Sequence, residues 1–219
     1  YEGGPDKMDA MSAVDAGEAG EPADAIPADG RTARAERTRT AIVDALLGLL
    51  EEGDLLPTAQ RIAARAGISL RLIYHHFGDL ESLFQAVSAR QLDRLQDLLV
   101  PVDTTTPLDR RIHDLVIKRI SLHERMAPIR RASLLQEPFS PHIISTREQA
   151  TAYGRREIES LFAEELDAAS TADHEVAVTA ITAALGWGAW NDLDLAERDH
   201  DEIAAATTLL IRGVMHQLA

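Results

Sequence analysis

Between residues 69 and 76 the chain gathers Ser69, Leu70, Arg71, Tyr74, His75 and His76. Most of these are donors with reach: a guanidinium, a phenol, two imidazoles and a hydroxyl. On one short helix such a set suits nucleic acid. Arg71 is placed to grip a guanine edge with two hydrogen bonds, and Leu70 to touch a thymine methyl. Thr58 and Ser69 add hydroxyl and amide contacts to phosphate oxygens. A second group of cations lies upstream, where Arg31, Arg34, Arg37 and Arg39 surround a single acid, Glu36. Other roles stay open at single positions: Tyr74 as a half-buried core residue with its hydroxyl in solvent, and one histidine as plain surface. A metal site at His75 and His76 is not expected. Adjacent helical residues diverge by about 100°, and no third ligand stands at a suitable spacing.

Catalytic patterns are missing by comparison. His113, His123, His142, His174, His200 and His216 are scattered, with no HExxH pair, nucleophile elbow or phosphate-cradling glycine loop. Glu164 and Glu165 are adjacent and point apart on a helix. The chain has no cysteine, which excludes disulfides and thiolate chemistry. No enzyme activity, metal or cofactor is expected.

Charge is distributed unevenly. The net charge is −14 over 219 residues, yet residues 30–85 carry seven acids and seven bases. Residues 1–29 carry eight acids and one base, with almost no large apolar side chain. Such a segment buries too little to offset its ordering entropy and reads as a disordered acidic tail. An acidic body with a locally basic edge orients a protein on DNA, because phosphates repel the wrong face.

The donors need a scaffold, and the pattern supplies helices throughout. Ile42, Leu46, Leu49 and Leu50 share one face of a first helix, about Arg31–Glu52. Gly53 and Pro57 end it. Thr58 caps a second helix with Ile62, Ala63 and Ala66 inward. Gly67 takes a sharp turn, Ile68 plugs the core, and Ser69 caps a very short third helix held inward by Leu72 or Ile73, then Phe77. That is a helix-turn-helix. Gly78 and Asp79 pass the chain to a fourth helix, with Leu83, Phe84 and Val87 inward, running to about Leu99.

The run Arg65-Ala66-Gly67-Ile68-Ser69, then Ile73-Tyr74 and His76-Phe77, then a small residue and a helix with Leu83, resembles the DNA-binding domain of TetR/AcrR-family regulators. It covers about 50 residues near the N-terminus. The resemblance implies that Tyr74 and His76 hold phosphates. It also exposes a departure: the family usually has a phosphate-binding lysine where this chain has Leu80. The arginines at 31–39 are the first place to look for a substitute.

Beyond Pro101 no stretch alternates like a strand. Thr106-Pro107 opens a helix that Pro128 is expected to break, with a short helix through Leu134–Leu135 after it. Ser140-Pro141 opens a long helix to about Leu166, with Ile144, Tyr153, Ile158, Leu161 and Phe162 as core candidates. One continuous helix is expected from Asp173 through Trp190. The last, about Asp199–Leu218, carries Ile203, Ala206, Thr207, Leu210, Ile211, Val214, Met215 and Leu218 at helical spacing.

These last two helices offer more apolar face than one chain's layer needs. They are expected to build a homodimer, as the resemblance also implies. A family member would further hold a small-molecule effector in this half. His113, Met126, Phe139, Tyr153, Trp187 and Trp190 are the candidates to line its site, with core or dimer packing as the alternative for each. The expectation is therefore an all-α chain in three parts. A disordered tail spans 1–29, a helix-turn-helix DNA-binding domain 30–85, and a helical effector-binding and dimerisation domain 86–219. Its partners would be a double-stranded palindromic operator, a second copy and an unidentified effector. No membrane span is expected, and the cytoplasm is the default location. The competing class is a helical adaptor, or a regulator that works without a small ligand.

Overall fold

In the computed structural model, residues 28–218 are described, and they form ten α-helices with no strand among them. The predicted tail lies almost wholly outside the described residues. The first helix, α1 (Ala28–Glu51), turns Ile42, Val43, Leu46, Leu47 and Leu50 inward, while residues 31–37 are exposed. Three shorter helices pack on it: α2 (Ala59–Ala66), α3 (Leu70–Phe77) and α4 (Leu80–Arg94). Ile62, Ala63, Ile73, Phe77, Leu83 and Val87 complete a single apolar core with α1. Gly48 of α1 faces α2, where a Cβ would lie 2.5 Å from the Arg65 guanidinium, so the arginine lies flat over the glycine.

A 3-10 turn (Gln96–Leu98) leads to α5 (Leu108–Gln136), the longest helix among the described residues. Pro128 does not break α5; the helix runs through it for 29 residues. A proline removes one hydrogen bond and crowds the preceding turn. Here both flanks are fixed by packing, because Ala127 is buried in the C-terminal core and Ala132 in the N-terminal one. Leu134 and Leu135 therefore end α5, exposed, and do not form a separate helix.

After a second 3-10 turn (Glu137–Phe139), α6 (Pro141–Leu161) starts where expected, with the Ser140 hydroxyl accepting from the Ile143 amide. The predicted helix to Leu166 is two: α6 stops at Phe162 and α7 (Ala163–Asp167) follows. Fully buried Phe162 has the non-helical angles that turn the chain. Arg111 of α5 repairs the break. It is buried, donates to the Leu161 carbonyl at 2.6 Å and to the Thr106 carbonyl at 3.0 Å, and pairs with both oxygens of Glu165 at 2.6 and 3.1 Å.

The predicted helix from Asp173 through Trp190 is also two. Here α8 (Thr171–Ala184) ends at Leu185, and Gly186 is the N-cap of α9 (Trp187–Leu195). A Cβ on Gly186 would sit 3.2 Å from the carbonyl oxygens of both Thr182 and Ala183. The turn therefore needs glycine for close approach and not for its φ. The last helix, α10 (His200–Leu218), buries Ile203, Thr207, Ile211 and Met215 against α5 and α8. Of its other expected apolar residues, Val214 and Leu218 are partly buried against this core and Ala206 is half-buried, while Leu210 and its neighbour Leu209 are exposed.

Candidate nucleic-acid interface

The local chemistry of α2 and α3 presents the sequence-predicted donors. Extended Thr58 accepts from the Arg61 amide at 3.3 Å, which leaves its O–H free to donate. Gly67 takes a left-handed φ of +67° and closes α2 onto the carbonyls of Ala63 and Ala64. Ser69 stands at the N-cap of α3 with extended angles, but its side chain makes no capping hydrogen bond. The expected cap is thus positional only, and the hydroxyl remains available to a phosphate.

On α3, Ile73 and Phe77 are buried and Leu72 is not. Ile73, and not Leu72, is therefore the inward anchor. Burying one such side chain stabilises by about 1.5–3 kcal/mol. Arg71, Tyr74 and His75 are exposed, Tyr74 by 51%, and Leu70 and His76 are half-buried. Tyr74 is thus not a core residue. The two imidazoles stack edge to face at 5.5 Å.

One contributor was grouped only with the basic run in the sequence. Arg39 donates to the His76 carbonyl at 3.1 Å, and its guanidinium lies 4.2 Å from the Phe77 ring centroid. It ties α1 to the far end of α3. Downstream, the exposed Asp79 caps α4 by accepting from the Ser82 amide at 2.8 Å. That backbone hydrogen bond, helped by the Ser82 side chain, holds its carboxyl below the usual range.

Electrostatics separates two sets of arginines. Arg61 pairs with Asp54 at 2.5 Å and Arg65 with Glu52 at 2.6 Å, so α2 contributes little free positive charge. Arg31, Arg34, Arg37 and Arg71 make no ion pair among the described residues. Within the helix-turn-helix domain, the cations without an ion pair among the described residues therefore include those on the outer turns of α1 and at the start of α3.

The six residues expected to line an effector site are not gathered in one place. His113 and Tyr153 are exposed, and Phe139 is 84% exposed in its 3-10 turn. The Tyr153 hydroxyl is directed to the Leu99 carbonyl at 3.4 Å. Met126 is half-buried on α5. Only Trp187 and Trp190 come together, 5.1 Å apart, and His123 joins them at 5.9 and 5.6 Å. His123 donates through Nε2 to the Leu185 carbonyl at 2.9 Å, a group freed by the α8–α9 break. Nothing in the sequence signals this partnership, because 62 residues separate the two.

The fold and the α2–α3 geometry agree with known proteins. Residues 42–87 match the family model described as bacterial regulatory proteins, tetR family. A transcriptional regulator from Rhodococcus sp. Rha1 superposes with a TM-score of 0.65 at 19% identity, over 84% of this chain and 96% of that one. A tetR-family transcriptional regulator from Streptomyces coelicolor gives a TM-score of 0.62 at 23% identity, over 84% and 80%. A putative TetR-family regulator from Mesorhizobium loti gives 0.59 at 18% identity, over 84% and 98%. No curated protein sequence matches the chain. Residues 42–87 therefore carry the helix-turn-helix domain of the tetR family of bacterial regulatory proteins, within a fold shared with these regulators.

Proposed function

We propose that the protein is a ligand-responsive repressor that binds a palindromic operator as a homodimer and acts by binding, without catalysis. The observation that carries this reading is the division of α3. Two residues, Ile73 and Phe77, hold it from within, while Arg71, Tyr74 and His75 face outward. In this reading Arg71 and Leu70 meet base edges. Tyr74, His75, His76, Ser69 and Thr58 meet phosphates, and Arg31, Arg34 and Arg37 extend the contact along the backbone. Residues 30–85 are then the DNA-binding domain and 86–219 the effector and dimer domain. No helix among the described residues is long and apolar enough to cross a membrane, and we assign the protein to the cytoplasm.

Dimerisation is supported by an apolar face that α8 and α10 leave uncovered. Val176, Thr179, Ala180 and Ala183 line an open groove on α8, and Leu209 is 72% exposed on α10. A two-fold dimer would set two α3 helices about 34 Å apart, one turn of DNA. Coupling to an effector is supported by two polar links that tie α4, which spans the boundary, to the helices after it. Ser140 donates to Glu81 of α4 at 2.8 Å, and Gln91 of α4 donates to the Arg125 carbonyl at 3.3 Å. An effector that favours one arrangement of α4 shifts the spacing of the reading helices.

The test is binding to the DNA upstream of the protein's own gene, measured by fluorescence anisotropy across salt concentrations. Each neutralised phosphate adds about −0.9 to the slope of log affinity against log salt. Tyr74→Ala is expected to weaken binding and lower that slope by about 1. Unchanged affinity and slope would sink the assigned face. Sedimentation showing only monomer at micromolar concentration would remove the dimer.

A further inference from the structure

Between α5, the α8–α9 corner and α10 lies a small cavity of about 10 Å³. That is the room of one water. Arg119, His123, Trp190 and Thr207 are among its lining residues. Two of them carry an unpartnered donor. Arg119 Nε and Trp190 Nε1 are buried and have no hydrogen-bond acceptor. Trp190 itself is only 4% exposed. Buried N–H groups without acceptors are uncommon and costly in a folded chain.

The charge around the cavity is unbalanced in the same sense. Lys118 and Arg119 share one carboxylate, Glu157, and all three side chains are nine-tenths buried or nearly so. Arg119 Nη2 reaches Glu157 at 2.7 Å, and the Lys118 ammonium also donates to the Val100 carbonyl at 2.7 Å. One cation is left in excess. His123 does not supply an anion or a second cation. Burial, reinforced by the Arg119 charge, holds its pKa below the usual imidazole value and outweighs the opposing hydrogen bond to Leu185. Its Nε2 is committed to that carbonyl, and neither orphan donor is bonded to its Nδ1.

We propose that this cavity seats the carboxylate of the effector, which is a monocarboxylate with an apolar remainder. The inference rests on reading the C-terminal half as the effector-binding half. One oxygen set accepts from Arg119 Nε–H and Trp190 Nε1–H and neutralises the surplus cation. The apolar part lies against the Trp187 and Trp190 rings. A carboxylate is larger than one water, so its entry displaces Trp190 and the α8–α9 corner. The corner is a helix break held by a side-chain hydrogen bond, His123 to the Leu185 carbonyl, and that bond is what such a displacement would strain.

Trp187 and Trp190 are the two tryptophans of the chain, so intrinsic emission reports this site alone. The full-length protein is titrated with sodium benzoate and sodium formate, with sodium chloride and benzyl alcohol as controls. Emission and Tm are followed together. Benzoate is expected to give a saturable emission change and a higher Tm, formate a weaker version of both, and the controls neither. Arg119→Gln and Trp190→Phe are each expected to weaken benzoate by about tenfold. If Arg119→Gln fails to fold, Trp190→Phe removes the donor together with part of the ring volume and keeps Trp187 as reporter. No saturable response to either carboxylate overturns the proposal and leaves a single-water cavity. A response that benzyl alcohol reproduces, or that Trp190→Phe leaves unchanged, overturns it as well. Operator binding by the same preparation separates the two readings. DNA binding without a carboxylate response refutes this inference alone, whereas a carboxylate response without DNA binding refutes the regulator.

Discussion

The two halves of the chain hold their helices in place by different means. In α1–α4 the ends are set mainly by residues next to them in sequence: Thr58, Gly67, Gly78 and Asp79 cap or turn their own helices, and Arg39 adds one long-range bond to the end of α3. In α5–α10 two ends are set from far away, by side chains of α5. Arg111 donates to the carbonyl at the end of α6 across 50 residues, and His123 to the carbonyl at the end of α8 across 62. The first arrangement yields short, separately specified helices on a common apolar core. The second makes α5 a spine on which broken helices are hung. A local cap can be lost with a local effect, whereas a spine contact fails for both helices it joins.

Arg111→Met should show the contrast most strongly. It strands Glu165 and the Leu161 carbonyl, and removing one partner of a buried pair costs about 3–5 kcal/mol. Chemical denaturation checks the value; a loss under about 1 kcal/mol would mean that the spine is not a special device. The same pair sets an acid limb. The Arg111 hydrogen bond holds Glu165 below the usual carboxylate range. Its contribution is therefore full above the unfolded carboxylate pKa, about 4.3. It is lost as pH falls through the lower folded value. Stability against pH should decline less steeply below that point in Arg111→Met than in the parent.

In the N-terminal half, Ile73→Ala is the matching probe. It is expected to cost about 2–4 kcal/mol and to weaken operator binding with it, because Ile73 sets the pose of α3. Retained DNA affinity at reduced stability would show that Arg39 and Phe77 suffice to aim the helix. The smallest effect is expected from Gly186→Ala. The added methyl meets two backbone carbonyls, so the cost is about 1 kcal/mol, accompanied by a shift in tryptophan emission. An unchanged spectrum would show that the α8–α9 corner yields without moving Trp190.

The same difference decides what could be read in advance. The helix-turn-helix was legible because each signal acts within a few residues: a hydroxyl before a helix, a glycine where φ must be positive, apolar residues at helical spacing. Pro128 misled because a local rule met non-local packing on both sides. The breaks at Phe162 and Gly186 were missed for the complementary reason. Their freed carbonyls are satisfied only by α5, and a sequence does not show which distant arginine or histidine arrives. The aromatic pair Trp187 and Trp190 was visible by its spacing. Arg119 and His123, which give that pair its chemistry, were not distinguished from other α5 residues, and Phe139 and Tyr153 were drawn into the site only by being aromatic.

Arg39 grips α3 by a backbone carbonyl and the face of an already buried ring, so it is indifferent to what the outward side chains are. With Ile73 and Phe77 as the two buried side chains of α3, positions 71, 72, 74 and 75 are exposed and contribute less to the core. If α3 reads DNA as proposed, the protein separates the alphabet it reads from the frame that holds the reader. A lineage could move to a new operator by changing those four letters, one at a time, without passing through an unfolded intermediate.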